Sequence, residues 1–122
     1  MDFLLDTSFL VSAFKYKIDI VKELRRFGRP ELFSLDLVVS ELERLAERGS
    51  VKTAARLALD FVSSEDVEML HADTNITDNE LEASAATGFV VCTVDKGLLE
   101  RIRNAGRKVV IIRQMKYLEM IG

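Results

Sequence analysis

The chain is 122 residues long, 48% apolar and 30% charged, which fits one globular domain over residues 1–122 and excludes a disordered or fibrous polypeptide. Its longest apolar runs, such as Phe89-Val90-Val91-Cys92, fall far short of the ~18 residues of a membrane-spanning helix, Asp2 interrupts any signal-like start, and the lone Cys92 can make no internal disulfide. The net charge of −3 is laid out unevenly: residues 15–29 hold six basic and two acidic side chains, residues 96–122 seven and two, and residues 30–95 four and fourteen.

Phe3-Leu4-Leu5 reads as a short buried strand. Helical periodicity follows through Phe14 and again through Val21, Leu24 and Phe27, stopping at Gly28 with Pro30 just beyond. Leu32-Phe33-Ser34-Leu35 reads as a second strand, with Asp36 as N-cap of a helix running to Gly49 and Ser50 as cap of another through Val62. Val67-Glu68-Met69-Leu70 supplies a third strand. Thr77 and Glu80 have capping-box spacing for a helix ending near Gly88, and Phe89 to Thr93 form a fourth strand. Asp95 can cap a helix through Leu98, Leu99 and Ile102 to Gly106, ahead of a fifth strand at Val109-Val110-Ile111-Ile112. Continuous apolar strands alternating with helices predict an α/β fold, a three-layer α/β/α sandwich around a central parallel sheet of about five strands.

In such a sheet the functional crevice lies beyond the carboxyl ends of the strands, where Asp6 and Asp95 both fall. Each follows a buried run and precedes a helix, so each is open to two readings, a helix N-cap and a site carboxylate. Glu41 falls inside the apolar arc of Leu37, Val38, Leu42 and Leu45, so it needs a basic partner such as Arg44 or Arg48, a raised pKa or a bound cation. Asp78 sits in the first turn of the Thr77 helix, where the dipole alone would favour it; Asp73, Glu80 and Glu82 are its rivals, with Glu82 one turn further along the same face. Two carboxylates about 4 Å apart repel by about 4 kcal/mol at an effective dielectric near 20, so four converging on one crevice require a divalent cation. All-oxygen ligands suit magnesium or manganese; His71 has no second His or Cys at ligand spacing, and Cys92 reads as core packing.

Asp6-Thr7-Ser8 after the first strand, Glu41 in Val-Val-Ser-Glu-Leu-Glu, Asp78-Asn79, and Thr93-Val94-Asp95-Lys96 after the fourth strand together resemble the PIN-domain nucleases over essentially the whole chain. The run from Thr93 to Arg103 and the following Val-Val-Ile-Ile look closest to the branch linked to small-subunit rRNA processing, while the toxin ribonucleases of toxin–antitoxin pairs share fold and acidic set. The resemblance implies metal-dependent hydrolysis of RNA to a 5′-phosphate and a 3′-hydroxyl. Asp6 and Asp95 would hold the principal magnesium or manganese ion, and Glu41 and Asp78 would complete its shell. Gly97 departs from relatives that carry a further acid there, and Glu82 is a candidate extra acid. Thr7, Ser8 and Thr93 could hold a carboxylate or water in place, or serve turns and caps. Lys15, Lys17, Arg101 and Arg103 are candidate RNA contacts, with a solvated basic surface as the alternative. Expected partners are an RNA substrate, a second copy in a homodimer, and a protein partner, either an antitoxin or a ribosome-assembly factor. The expected setting is the cytoplasm, away from membranes.

Overall fold

The computed structural model describes residues 1–64, 66–71 and 77–122, with side chains for all of these except 77–80. Its strands are β1 (Asp2–Leu5), β2 (Glu31–Leu35), β3 (Val67–Leu70), β4 (Val90–Cys92), β5 (Val109–Arg113) and β6 (Tyr117–Ile121), lying in the spatial order β3-β2-β1-β4-β5-β6. Neighbours are parallel except β5 and β6, which are antiparallel. Central β1 buries Phe3, Leu4 and Leu5 completely, as expected of a strand covered on both faces.

The helices are α1 (Thr7–Lys15), α2 (Ile20–Leu24, continued by a 3-10 turn over Arg25–Phe27), α3 (Asp36–Glu47), α4 (Lys52–Val62), α5 (Thr77–Ala86) and α6 (Lys96–Asn104). Steps from β1 to β2 to β3 run one way along the sheet, and steps from β3 to β4 to β5 run the other. Right-handed crossovers therefore send the connecting helices to opposite faces. Accordingly α1, α3 and α4 pack on one another, while α5 packs on α6. Phe14 of α1 meets Phe61 of α4 edge-on, ring centres 5.6 Å apart, and Leu42 of α3 is fully buried. The reversal of direction falls between β1 and β4, and that is where a parallel sheet opens a crevice.

Three details depart from the sequence reading. Asp36 is the first residue of α3, and the cap position belongs to Leu35, which makes no side-chain cap; the Asp36 carboxylate instead meets His71 Nδ1 at 3.1 Å. Val51, not Ser50, precedes α4 and likewise makes no side-chain cap. The sheet gains a sixth strand, because Gln114 (φ 52°) and Met115 (φ 56°) form a tight turn that folds β6 back onto β5. The outer edge of β6 is closed by α2: Glu23 Oε1 accepts the Leu118 N–H at 2.9 Å, and Arg26 Nη1 donates to the Leu118 carbonyl at 3.0 Å. Arg26 also donates to Glu23 Oε1 at 2.8 Å, so an ion pair stands where another strand could otherwise dock.

Candidate active site

β1 and β4 are paired with Leu5 opposite Cys92, so the residues that follow them emerge side by side at the crevice. The Asp6 N–H bonds the Cys92 carbonyl at 3.1 Å and the Thr93 N–H bonds the Val110 carbonyl at 3.1 Å, which carries the ladder one residue past each strand. Asp6 and Thr93 are thus placed by backbone geometry, not by loops.

Asp6 is only 5% exposed, and three donors converge on its carboxylate. The Thr7 N–H donates to Oδ1 at 2.8 Å, while Ser8 Oγ at 2.9 Å and Thr93 Oγ1 at 2.8 Å donate to Oδ2. The same two hydroxyls accept backbone N–H groups, Ser8 from Val94 at 3.4 Å and Thr93 from Asp95 at 3.1 Å. Each hydroxyl hydrogen is therefore committed to Asp6, which fixes the carboxylate's rotamer. Burial raises the Asp6 pKa above its ordinary 3.8, the bonds from Thr93, Ser8 and Thr7 oppose that rise, and the negative charge of Glu41 adds to it. Burial, and then the Asp6 charge, push the Cys92 thiol well above its ordinary value, as suits a packing residue in β4.

Glu41 reaches the same place from α3. It is half-buried, and its Oε1 accepts the Thr7 hydroxyl at 3.2 Å. Asp95, exposed at the cleft mouth, caps α6 by accepting the Leu98 N–H on Oδ1 at 3.1 Å, a bond that occupies only one of its oxygens. Asp6, Glu41 and Asp95 line one cleft of about 340 Å³ with Thr7, Ser8, Ser12, Val11 and Leu45. Ser12 was not anticipated, although it lies one helical turn after Ser8 on the same face of α1, and that spacing was its signal.

The remaining candidates stand elsewhere. Asp78 falls in the first turn of α5, but its side chain, like the whole of Asp73, lies outside the described residues. Glu82 takes the Arg101 Nε at 3.0 Å, tying α5 to α6, and neither residue lines the cleft. Lys15, Lys17 and Arg103 are exposed away from it.

The donors suit a hard divalent cation in type: every polar group lining the cleft is a carboxylate or a hydroxyl, with no nitrogen or sulfur ligand. A cation would also relieve the buried charge of Asp6. Among the described residues, however, no three Asp, Glu, His or Cys side chains are already drawn to coordinating distance.

The PIN-like domain family matches this chain over residues 3–115. The chain belongs to that family. Two curated relatives span nearly all of it: Ribonuclease VapC4 of Methanocaldococcus jannaschii is 31% identical over 125 residues, covering 96% of this chain and 94% of the relative. Ribonuclease VapC9 of Archaeoglobus fulgidus is 31% identical over 113 residues, covering 91% and 82%. Among solved structures, the PIN domain endonuclease Utp24 superposes with a TM-score of 0.81 at 24% identity, covering 98% of this chain and 90% of that one, a likeness of fold. The PIN-like match spans Asp6, Glu41, Asp78 and Asp95 alike.

Proposed function

We propose that this PIN-like chain is a metal-dependent endoribonuclease that hydrolyses RNA phosphodiester bonds, with Asp6, Glu41 and Asp95 of the cleft, joined by Asp78, as its metal-holding carboxylates. The observation that carries this reading is the Asp6 carboxylate: buried, oriented by three donors, and set in one cleft with two further acids. Magnesium or manganese bound there would supply charge that polarises a phosphoryl oxygen and lowers the pKa of water.

The chain's own side chains supply orientation. Ser8 and Thr93 hold Asp6 Oδ2, the Thr7 N–H holds Oδ1, and the Thr7 hydroxyl holds Glu41, so one turn of α1 sets two of the acids. Asp95 keeps Oδ2 clear of its helix cap. Hydrolysis of RNA is common to both branches the sequence resembles. The 31% identity with two VapC ribonucleases over most of the chain supports the ribonuclease reading; a part in rRNA processing rests on the resemblance of the run from Thr93 to Arg103, and a toxin-type ribonuclease with an antitoxin as protein partner is the alternative. A single domain, a homodimer and a cytoplasmic setting complete the proposal.

The test is cleavage of an end-labelled structured RNA with manganese, with magnesium and with chelator, wild type beside Asp6→Asn. Cutting that needs metal and disappears in the variant is the expected result. RNA bound but left intact by the metal-loaded wild type would replace the nuclease with a non-cleaving RNA-binding scaffold.

A further inference from the structure

Residues 15–29 carry six basic side chains, and none lines the cleft. The two acids of the segment are engaged: Glu23 holds Arg26 and the Leu118 N–H, and Asp19 caps α2 through the Lys22 N–H at 3.1 Å. Arg25 and Arg29 are exposed, and among the described residues no hydrogen bond or ion pair occupies either guanidinium. The terminal ammonium of Met1 donates to the Arg29 carbonyl at 3.0 Å and adds positive charge at the same end of the sheet.

Both guanidiniums line a groove of about 330 Å³ with Val21, Pro30, Leu32 and Asp66. Val21, Pro30 and Leu32 are buried or half-buried and make an apolar floor, while Asp66 is exposed at its edge. Pro30 precedes β2 and Asp66 precedes β3, so the groove lies at the amino-terminal ends of parallel strands whose carboxyl ends face the cleft. The five residues of β2 alone separate the two places by roughly 17 Å at ~3.3 Å per residue.

We infer that this groove is an exosite for the RNA substrate, one that holds a single-stranded stretch away from the bond to be cut. The inference rests on RNA being the substrate, as proposed above. Arg25 and Arg29 take backbone phosphates, since guanidiniums that line one groove and have no bonded partner among the described residues suit phosphate oxygens in bidentate geometry. One base lies on the floor of Val21, Pro30 and Leu32, and Asp66 accepts from its amino or imino N–H. A chain of net charge −3 thereby keeps a local positive surface for a polyanion remote from the acidic cleft.

The test is salt-dependent binding of a labelled single-stranded RNA to Asp6→Asn and to Asp6→Asn carrying Arg25→Ala and Arg29→Ala, with thermal melts to confirm folding. Losing two single-strand phosphate contacts should reduce the slope of log K against log salt by about 1.4 and weaken binding roughly 25-fold at 0.1 M salt, taking 1 M as the point where the ionic contribution vanishes. An unchanged slope and affinity in the folded triple variant would overturn the exosite. Unchanged RNA binding together with lost binding of a polyglutamate peptide would overturn it too, and give the groove to an acidic protein partner. Failure of wild type to cut RNA, read in the separate cleavage assay, would sink the nuclease and leave the slope to decide the exosite as an RNA-binding surface.

Discussion

Thr93→Val removes one oxygen from a fully buried position and nearly preserves shape; it deletes the 2.8 Å hydrogen bond to Asp6 Oδ2 together with the 3.1 Å bond from the Asp95 N–H, and only the first of these depends on the charge of Asp6. A hydrogen bond to an ionised partner is worth about 1.5–3 kcal/mol and one to a neutral partner about 0.5–1.5 kcal/mol. Where pH exceeds the folded pKa and Asp6 is ionised, the variant should lose about 2 kcal/mol. At ~2.1 cal/mol/K per residue of unfolding entropy, a 122-residue chain would melt about 8 °C lower. The pH dependence is the sharper readout. The folded Asp6 pKa is raised above its ordinary 3.8, so the stability that its protonation confers is fully present below the unfolded value and is lost as pH rises through the folded one. Removing a bond that opposes the rise lifts the folded pKa further. The penalty of Thr93→Val should therefore shrink by about 1 kcal/mol as pH falls through that folded pKa and the partner becomes neutral. Urea melts between pH 7 and pH 4, with a carboxyl-carbon NMR titration of Asp6, measure both. A penalty that does not change with pH, or an Asp6 titration identical in the two proteins, would refute the clamp. RNA cleavage should fall ~10–100-fold, the scale of groups that orient a metal-holding side chain.

Two further outcomes follow from the same physics. Asp6→Asn removes the buried charge, so the loss of metal-free stability that Asp6 causes as pH rises through its folded pKa should be missing from the variant, and manganese should raise the melting temperature of the wild type alone. Melts at pH 4 and pH 7 with and without metal test this; an equal metal-induced shift in the variant would remove Asp6 from the metal-holding set. Glu23→Ala leaves the Leu118 N–H without its acceptor and Arg26 without its anchor, which should cost about 1–2 kcal/mol in urea and promote self-association through the opened edge of β6. Light scattering that stays at the wild-type value in the destabilised variant would show that the edge needs no such cover.

The strands from Phe3 to Ile112 were legible because a parallel sheet covered on both faces writes them as apolar runs: β4 is buried throughout, β1 from Phe3 to Leu5 and β5 from Val109 to Ile111. β6 was not legible. Its turn uses Gln114 and Met115 at positive φ with neither Gly nor Asn to mark it, and it follows β5 after three residues. The caps predicted at Asp36 and Ser50 failed because local propensity yielded to tertiary placement: Asp36 turns to His71 across the ends of β2 and β3, a pairing 35 residues apart. At the site, Asp6 and Asp95 were legible as acids at strand ends and Glu41 as an acid in an apolar arc. That hydroxyls at Thr7, Ser8 and Thr93 attend the carboxylates was also legible, but their division of labour was not. Thr7 gives its N–H to Asp6 and its hydroxyl to Glu41, and Thr93 reaches Asp6 over 87 residues of sequence, a proximity created only when β4 pairs with β1.

Capping and cation binding are not rival explanations of Asp6 and Asp95, because each carboxylate has two oxygens. Asp95 gives Oδ1 to the Leu98 N–H and Asp6 gives Oδ1 to the Thr7 N–H, so both caps are satisfied by half of the side chain. An N-cap contributes about 1 kcal/mol, and Ser, Thr or Asn supply it without charge. At Asp6 the charge carries a cost, since burial raises its pKa and Glu41 raises it further. Two committed hydroxyls then point at Oδ2, where helix capping requires nothing. A neutral cap would have made α1 as well without desolvating an ion, so capping leaves the charge and the fixed Oδ2 of Asp6 unexplained, and these are the features that the metal-holding role proposed for it requires.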